Sequence, residues 1–597
     1  MRGVEDLRAY IKQLHSGVTD ADLEQLIQDC KKYENNYPNI AQEIQGSVDA
    51  VQFRFDGEAA KRNTSIEEVC TSKHFIITIG TQVKADVFKG KSVYSGSNVG
   101  SGRIVAETSS RGETLEIKPT ELMQRKHNEH KDAHPEFGKA LHVYNRHLDF
   151  EDATPTRDVE PPVVVIGNPK YKNFLNVKPQ EINESIRQRL SRMTELLAHE
   201  VKRVTGVAYD PPLKQDSAFN DPRFLIGRLT YEAADEKDAE PKFSADRVIM
   251  EIIARHEVGT SLTVVKLPLN FTCLKQNYFL YPNMVIAVEV TGDVFIPETD
   301  TLQVHRIIEL GSDKDSSTSP QQQNSLPTRM INNKMTVLFF KGPYTMEGNL
   351  YFGGINMIDK HVNHFSPQHV IVAGPFIAEE RIKGEMESSG LDLAKVRSYF
   401  LEKLAESLGK KKVHLTIVQD TEEYDNFFPI PVPYSMETDD ELAKKRHVTR
   451  VGSPCLLTFA PNFHVAISPG NFQTNVRNLP FKTFDEVPRF GQLMRSFVGQ
   501  RSLHSLFPGE HPFDVSQQDQ LSLENGPQPT VWIYPSTFTQ FVREERGVIC
   551  ANPRTIFDGQ SFFSALKIEA EVAGEGSMEE ELTGNGIDRV RVEVIQF

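Results

Sequence analysis

HVIVAGPFIAEE, residues 369–380, opens as an unbroken apolar run and stops at Gly374-Pro375. A strand with one wet face alternates apolar and polar residues, whereas a strand covered on both faces reads as a continuous apolar run. KMTVLFF (334–340), KVHLTIV (412–418) and TVWIYP (530–535) share the continuous pattern. Between HVIVAG and KVHLTIV lies a helical repeat through Val396, Phe400, Leu401 and Leu404. Doubly covered strands alternating with helices predict a layered α/β domain, with helices flanking a central sheet, over residues 330–597.

Working outward, DKDSSTSPQQQNSLPTR (313–329) is a polar linker. Before it come FLIGRL (224–229), RVIMEII (247–253), SLTVVKLPL (261–269), NMVIAVEV (283–290) and LQVHRII (302–308), separated by turn signals such as Tyr281-Pro282-Asn283 and Thr291-Gly292-Asp293. Five short strands in close succession predict a small closed barrel, and the strand count suits an OB-fold. A helix over about 181–204 precedes them, with Ile182, Ile186, Leu190, Met193, Leu196 and Leu197 on its apolar face. Lead helix and barrel together make a unit over 161–312. OB-folds often stack bases on exposed aromatics over a positive groove. Here Phe224, Tyr278, Phe279, Tyr281 and Phe295 supply aromatics, but the loop EAADEKDAE (232–240) is acidic, which favours core or protein contacts for these rings.

Residues 1–70 read as a compact helical recognition module. Val4, Leu7, Ile11 and Leu14 keep helical spacing, Leu23, Leu26 and Ile27 follow Thr19-Asp20, and Thr64-Ser65-Ile66-Glu67 matches a capping box. Residues 71–160 are expected to form a flexible tether, polar and interrupted by SGSNVGSG (95–102). The glycines Gly96, Gly100 and Gly102 are followed by Arg103-Ile104 and lack the Lys-Ser/Thr of a phosphate loop. Thr154-Pro155 and Ser319-Pro320 are candidate phosphorylation sites. The chain as a whole is therefore expected to be multidomain α+β.

The net charge is −15, from 82 acidic and 67 basic residues. A protein living by phosphate contacts would carry a basic excess, so any role on DNA is expected to be indirect. The basic runs Lys410–Lys412 and Lys444–Arg446 read as solvated helix ends. The first residues carry no apolar signal core, and no apolar run is long enough to span a bilayer. Cys30, Cys70, Cys273, Cys455 and Cys550 are scattered, which fits a reducing compartment such as cytosol or nucleus.

The strand tips carry the chemical question. A two-metal phosphoesterase places carboxylate, Asn and His ligands at successive strand ends, so that two ions expose a water between them. The first tip reads Lys341-Gly342-Pro343-Tyr344, where Asp-x-His would stand. The second reads Gly374-Pro375-Phe376-Ile377-Ala378 in place of Gly-Asp-x-x-Asp, and the third Val418-Gln419-Asp420-Thr421 in place of Gly-Asn-His. The late strand ends Tyr534-Pro535-Ser536, without His-x-His. Gly342, Tyr344, Pro375, Ala378 and Gln419 are thus degenerate ligand positions, and Asp420 alone keeps a carboxylate. One carboxylate cannot hold two ions, so no metal, cofactor or catalytic residue is expected. His361, His364 and His369 lack acidic or Cys partners at metal spacing and read as an exposed loop; His464 reads as a satisfied core histidine.

Helical module, tether, OB-like barrel and layered domain with emptied tips resemble, in that order, the accessory B-subunit family of eukaryotic replicative DNA polymerases, the alpha branch most of all. VLFFKGPYT (337–345), HVIVAGPFI (369–377), FPIPVPYS (428–435), GQRSLHSLFP (499–508), VWIYPSTFTQFV (531–542) and GVICANPRTIFDGQSF (547–562) carry the resemblance. It implies an inactive calcineurin-like phosphoesterase domain and a non-catalytic scaffold bound to the C-terminal domain of the polymerase alpha catalytic subunit. It further implies association with primase through that complex, replisome or telomere-capping partners for residues 1–70, mainly indirect DNA contact, and a nuclear location with no membrane role. The alternatives are a delta or epsilon B subunit, an active metal-dependent phosphoesterase, or a single-strand DNA-binding protein.

Overall fold

The computed structural model describes residues 138–156, 160–169, 177–212, 219–231, 243–255, 262–292, 301–311, 329–345, 353–377, 393–423, 428–434, 440–470, 479–483, 489–508, 511–558, 564–572 and 586–596, with Asn426, Ser561 and Phe562. The expected helical module (1–70), the tether up to 137 and the linker 313–328 lie outside these residues.

Strands β1 (Ala140–Tyr144) and β2 (Val163–Ile166) lead into helix α1 (Pro179–Thr205). Pro179 at the first helical position loses no hydrogen bond, and Glu181 accepts from the Lys178 N–H at 3.1 Å. The helix stops at Gly206, whose φ of 76° takes the left-handed turn that a side chain resists.

Strands β3 (Phe219–Thr230), β4 (Val248–Arg255), β5 (Leu262–Asn270), β6 (Val285–Gly292) and β7 (Leu302–Ile308) close a barrel in the order β7-β5-β4-β3-β6. These are the five strands expected from sequence. Their side chains alternate: Leu225, Leu229, Met250, Leu267, Ile286 and Val304 join one core, while Ile226, Val285, Ala287 and Ile308 turn to meet Leu190, Met193, Leu197 and Val201 of α1.

The rest is a pair of stacked sheets. Strands β8 (Asn333–Lys341), β9 (His369–Ala373), β10 (His414–Val418) and β11 (Val448–Val451) run parallel, as their long crossovers require, with α2 (Gly353–Phe365), α3 (Leu393–Lys410) and the short α4 (Asp440–Ala443) in the connections. Then follow β12 (Cys455–Ala460), β13 (Phe463–Ile467), α5 (Arg489–Gly499), β14 (Val531–Ile533), β15 (Phe541–Glu545), β16 (Val548–Asn552), β17 (Ser564–Glu571) and β18 (Val590–Gln596). One sheet is ordered β1-β18-β17-β8-β9-β10-β11, the other β15-β16-β14-β13-β12-β2. Val337, Phe339, Ile371 and Val418 of the first face Val465, Ile467, Ile533 and Ile549 of the second across one core. Each such side chain contributes roughly 1.5–3 kcal/mol by leaving water. Phe400, Leu401 and Leu404 of α3 are buried as well.

Four sequence expectations need correction. The tether does not extend to residue 160, because β1 pairs with β18 and Thr154–Pro155 pairs with β8. Thr154-Pro155 therefore lies in a sheet. Residues 163–166, assigned with the barrel, join the second sheet as the partner of β12. TVWIYP belongs to that second sheet and not to the sheet of β8–β10, so the domain has two central layers instead of one. Finally, His361 lies buried on α2 and His369 buried on β9, not on an exposed loop.

Candidate functional site

The parallel strands β8, β9 and β10 end side by side, and each tip is laced to the next. The Gly342 N–H donates to Ala373 O at 2.8 Å, the Gly374 N–H to Val418 O at 3.0 Å and the Gln419 N–H to Val451 O at 3.0 Å. Peptide bonds Gly342-Pro343 and Gly374-Pro375 are cis. A Cβ on Gly342 would collide with the Pro375 carbonyl, so only glycine lets the first two tips approach this closely.

Of the degenerate ligand positions, Gly342, Pro375, Gln419 and Asp420 stand at these adjoining tips, and Tyr344 lies beneath them; Ala378 lies outside the described residues. Tyr344 is a core group. Its hydroxyl donates toward Phe340 O (2.9 Å) and Ala373 O (3.1 Å), and its ring stacks on Phe376 at 5.6 Å. Burial raises its pKa well above the ordinary value, so it stays neutral.

The centre is held by a residue that sequence reasoning passed over. Lys341, the last residue of β8, is 1% exposed and directs its ammonium at the Asp420 carboxylate. The same ammonium donates to Gly374 O at 2.5 Å and lies 3.6 Å from Glu422 Oε2. The other Asp420 oxygen accepts from the Gly470 N–H (3.1 Å), Thr421 Oγ1 (3.0 Å) and the Glu422 N–H (3.3 Å). Burial would raise the Asp420 carboxyl, but Lys341 beside it and these donors together hold it below the usual carboxylate range. It therefore remains an anion with its acceptor sites engaged, which suits neither a proton acceptor nor an open ion ligand. Glu423 turns away from this pair, accepting from the Phe376 N–H at 2.9 Å and lying 3.8 Å from Arg397. Among the described residues, no three His, Cys, Asp or Glu side chains group to hold a metal. The sequence signal for Lys341 was a lysine directly following an apolar run, but its partner lies 79 residues away.

A second polar cluster joins the barrel to the sheets. Gln500, just past α5, sets its side-chain amide against β6: Val285 N–H donates to Oε1 at 2.8 Å, and Nε2 donates to Val285 O at 2.9 Å. The amide thus completes a ladder rung as a neighbouring strand would. Arg189 of α1 donates to Gln500 O at 3.2 Å, and Tyr281, stacked on Phe497 at 4.7 Å, shares a 2.8 Å hydrogen bond with Ser505. Asn283 Nδ2 donates to Ser505 O at 3.0 Å, and Arg546 binds Glu309 at 2.5 Å. Tyr278, Phe279 and Tyr281 are buried, so these rings are closed to stacking with bases. Similarly, Asn552 and Ser536 meet at 3.0 Å, and Asn552 also donates to Phe538 O at 3.1 Å.

Fold and site together define a barrel-and-sandwich protein whose strand tips are closed by an internal ion pair. Residues 337–543 match the family model for the B subunit of DNA polymerase alpha/epsilon, and the chain belongs to that family. It is similar to the DNA polymerase alpha B subunit of Mus musculus, 22% identical over 63% of this chain and 58% of the relative. The Rattus norvegicus protein of the same name is 22% identical over 69% and 65%, and that of Schizosaccharomyces pombe 20% identical over 70% and 71%. The matches thus span less than two thirds of the two rodent relatives.

Proposed function

We propose that this chain is the non-catalytic B subunit of a DNA polymerase alpha–primase complex, a nuclear scaffold that supports primer synthesis by holding the C-terminal domain of the catalytic subunit. In this reading the five-stranded barrel is an OB-fold, and the stacked sheets are a calcineurin-like phosphoesterase domain without its metal centre. Residues 1–70 recruit replisome or telomere-capping factors; their tether raises the local concentration of a weak module. DNA is contacted mainly through the partners, in keeping with the net charge of −15.

The observation that carries the reading is the similarity to alpha B subunits, in a domain whose strand-tip centre is filled by Lys341 and Asp420. The buried aromatic and polar seam at Gln500, Ser505 and Tyr281 supports a rigid two-part platform. The test is to tag the chain in its native cells and identify the co-purifying polymerase catalytic subunit. Polymerase alpha and primase are expected; recovery with the delta or epsilon catalytic chain instead would overturn the assignment.

A further inference from the structure

We propose that Lys341 is a tethered cation that fills, and thereby closes, an ion position framed by the tips of β8, β9 and β10. The ammonium is surrounded by the oxygen donors a hard cation takes: the Gly374 carbonyl at 2.5 Å, the Asp420 carboxylate, and Glu422 Oε2 at 3.6 Å. Fully buried lysines are rare unless paired, and this one is 1% exposed. The cradle is shaped around it: a Cβ on Gly470 would run into both the ammonium and the Asp420 carboxylate, while the Gly470 N–H supports the carboxylate at 3.1 Å. A divalent ion could reach Asp420 only by displacing the ammonium, and would otherwise meet a fixed positive charge in a dry site. The residues present therefore do not fit a metal centre, because one side chain of the same chain supplies the charge.

This deepens the reading of the domain as a phosphoesterase shape without its chemistry and rests on it. Removing the ammonium while keeping Asp420 should leave carboxylate and carbonyl oxygens that accept a divalent ion. The experiment is a Mn²⁺ titration of the full-length chain, followed by thermal unfolding. Wild type should show no Mn²⁺-dependent change in Tm. Lys341→Met should gain a rise of about 2 °C or more at Mn²⁺ well above its Kd, and Lys341→Met/Asp420→Asn should lose it. If the single variant does not accumulate as folded protein, the charge-balanced double variant should. A Tm rise in wild type equal to that of Lys341→Met, no rise in folded Lys341→Met, or a double variant that also fails to fold would each overturn the proposal. Turnover of a phosphodiester by wild type with Mn²⁺ would instead strike at the non-catalytic reading itself.

Discussion

The strand tips and the barrel seam both bury ion pairs, yet they use them differently. At the tips, Lys341 and Asp420 come from strands of one sheet and satisfy each other within a closed cradle. At the seam, Gln500, Ser505 and Arg546 reach from the two-sheet domain to Val285, Tyr281 and Glu309 of the barrel region. The first arrangement ends a site; the second joins two bodies. A buried charge pair is thus no sign of chemistry by itself, and the elements its members come from tell the two uses apart.

The sharpest way to break this contrast is to remove one charge at the tips. Lys341→Met leaves a buried, uncompensated carboxylate and should cost about 3–5 kcal/mol in chemical denaturation, most of it recovered by adding Asp420→Asn. At the seam, Gln500→Ala strands the Val285 N–H and C=O, and a loss of about 2–4 kcal/mol is expected. Its unfolding should also become less cooperative, with the barrel separating from the sheets, whereas Lys341→Met should keep a single transition.

Acid should act on both regions. Burial pushes His369 and His504 down to about 3 and His361 and His414 down to about 4, from an ordinary 6.5. The unfolded chain takes up these protons below pH 6.5 while the folded chain does not, so stability is full above 6.5 and falls as pH drops toward 4. The slope is about 1.4 kcal/mol per histidine per pH unit. Asp420 adds to the same trend at lower pH, since its depressed pKa gives stability that is lost only as the folded carboxylate protonates. His369 lies on β9 and His504 at the seam, so replacing either with Gln should flatten the acid limb of a Tm–pH profile. The smallest effect is expected for Tyr281→Phe, about 1 kcal/mol for the hydrogen bond to Ser505, with the stacking on Phe497 kept.

Much of this was legible in the sequence because it rests on local pattern. The barrel strands announce themselves by apolar runs between turn signals, and β8–β10 by apolar runs without alternation. What escaped reading depends on distant partners. Strand β1 has little apolar content, and only pairing with β18 at the other end of the chain makes it a strand. Lys341 looked like a strand-end charge, because its burial depends on Asp420, Gly374 and Gly470 from three later segments. Gln500 lay in a stretch picked out by resemblance, but its acceptor and donor are backbone atoms of Val285, which no side-chain pattern reveals.

The central claim, that the strand tips keep a shape and not a reaction, is tested most directly by assaying the purified full-length chain on a phosphodiester in the presence of Mn²⁺. The account predicts turnover no greater than that of Asp420→Ala, both at background. Turnover by wild type that vanishes in Asp420→Ala would contradict it.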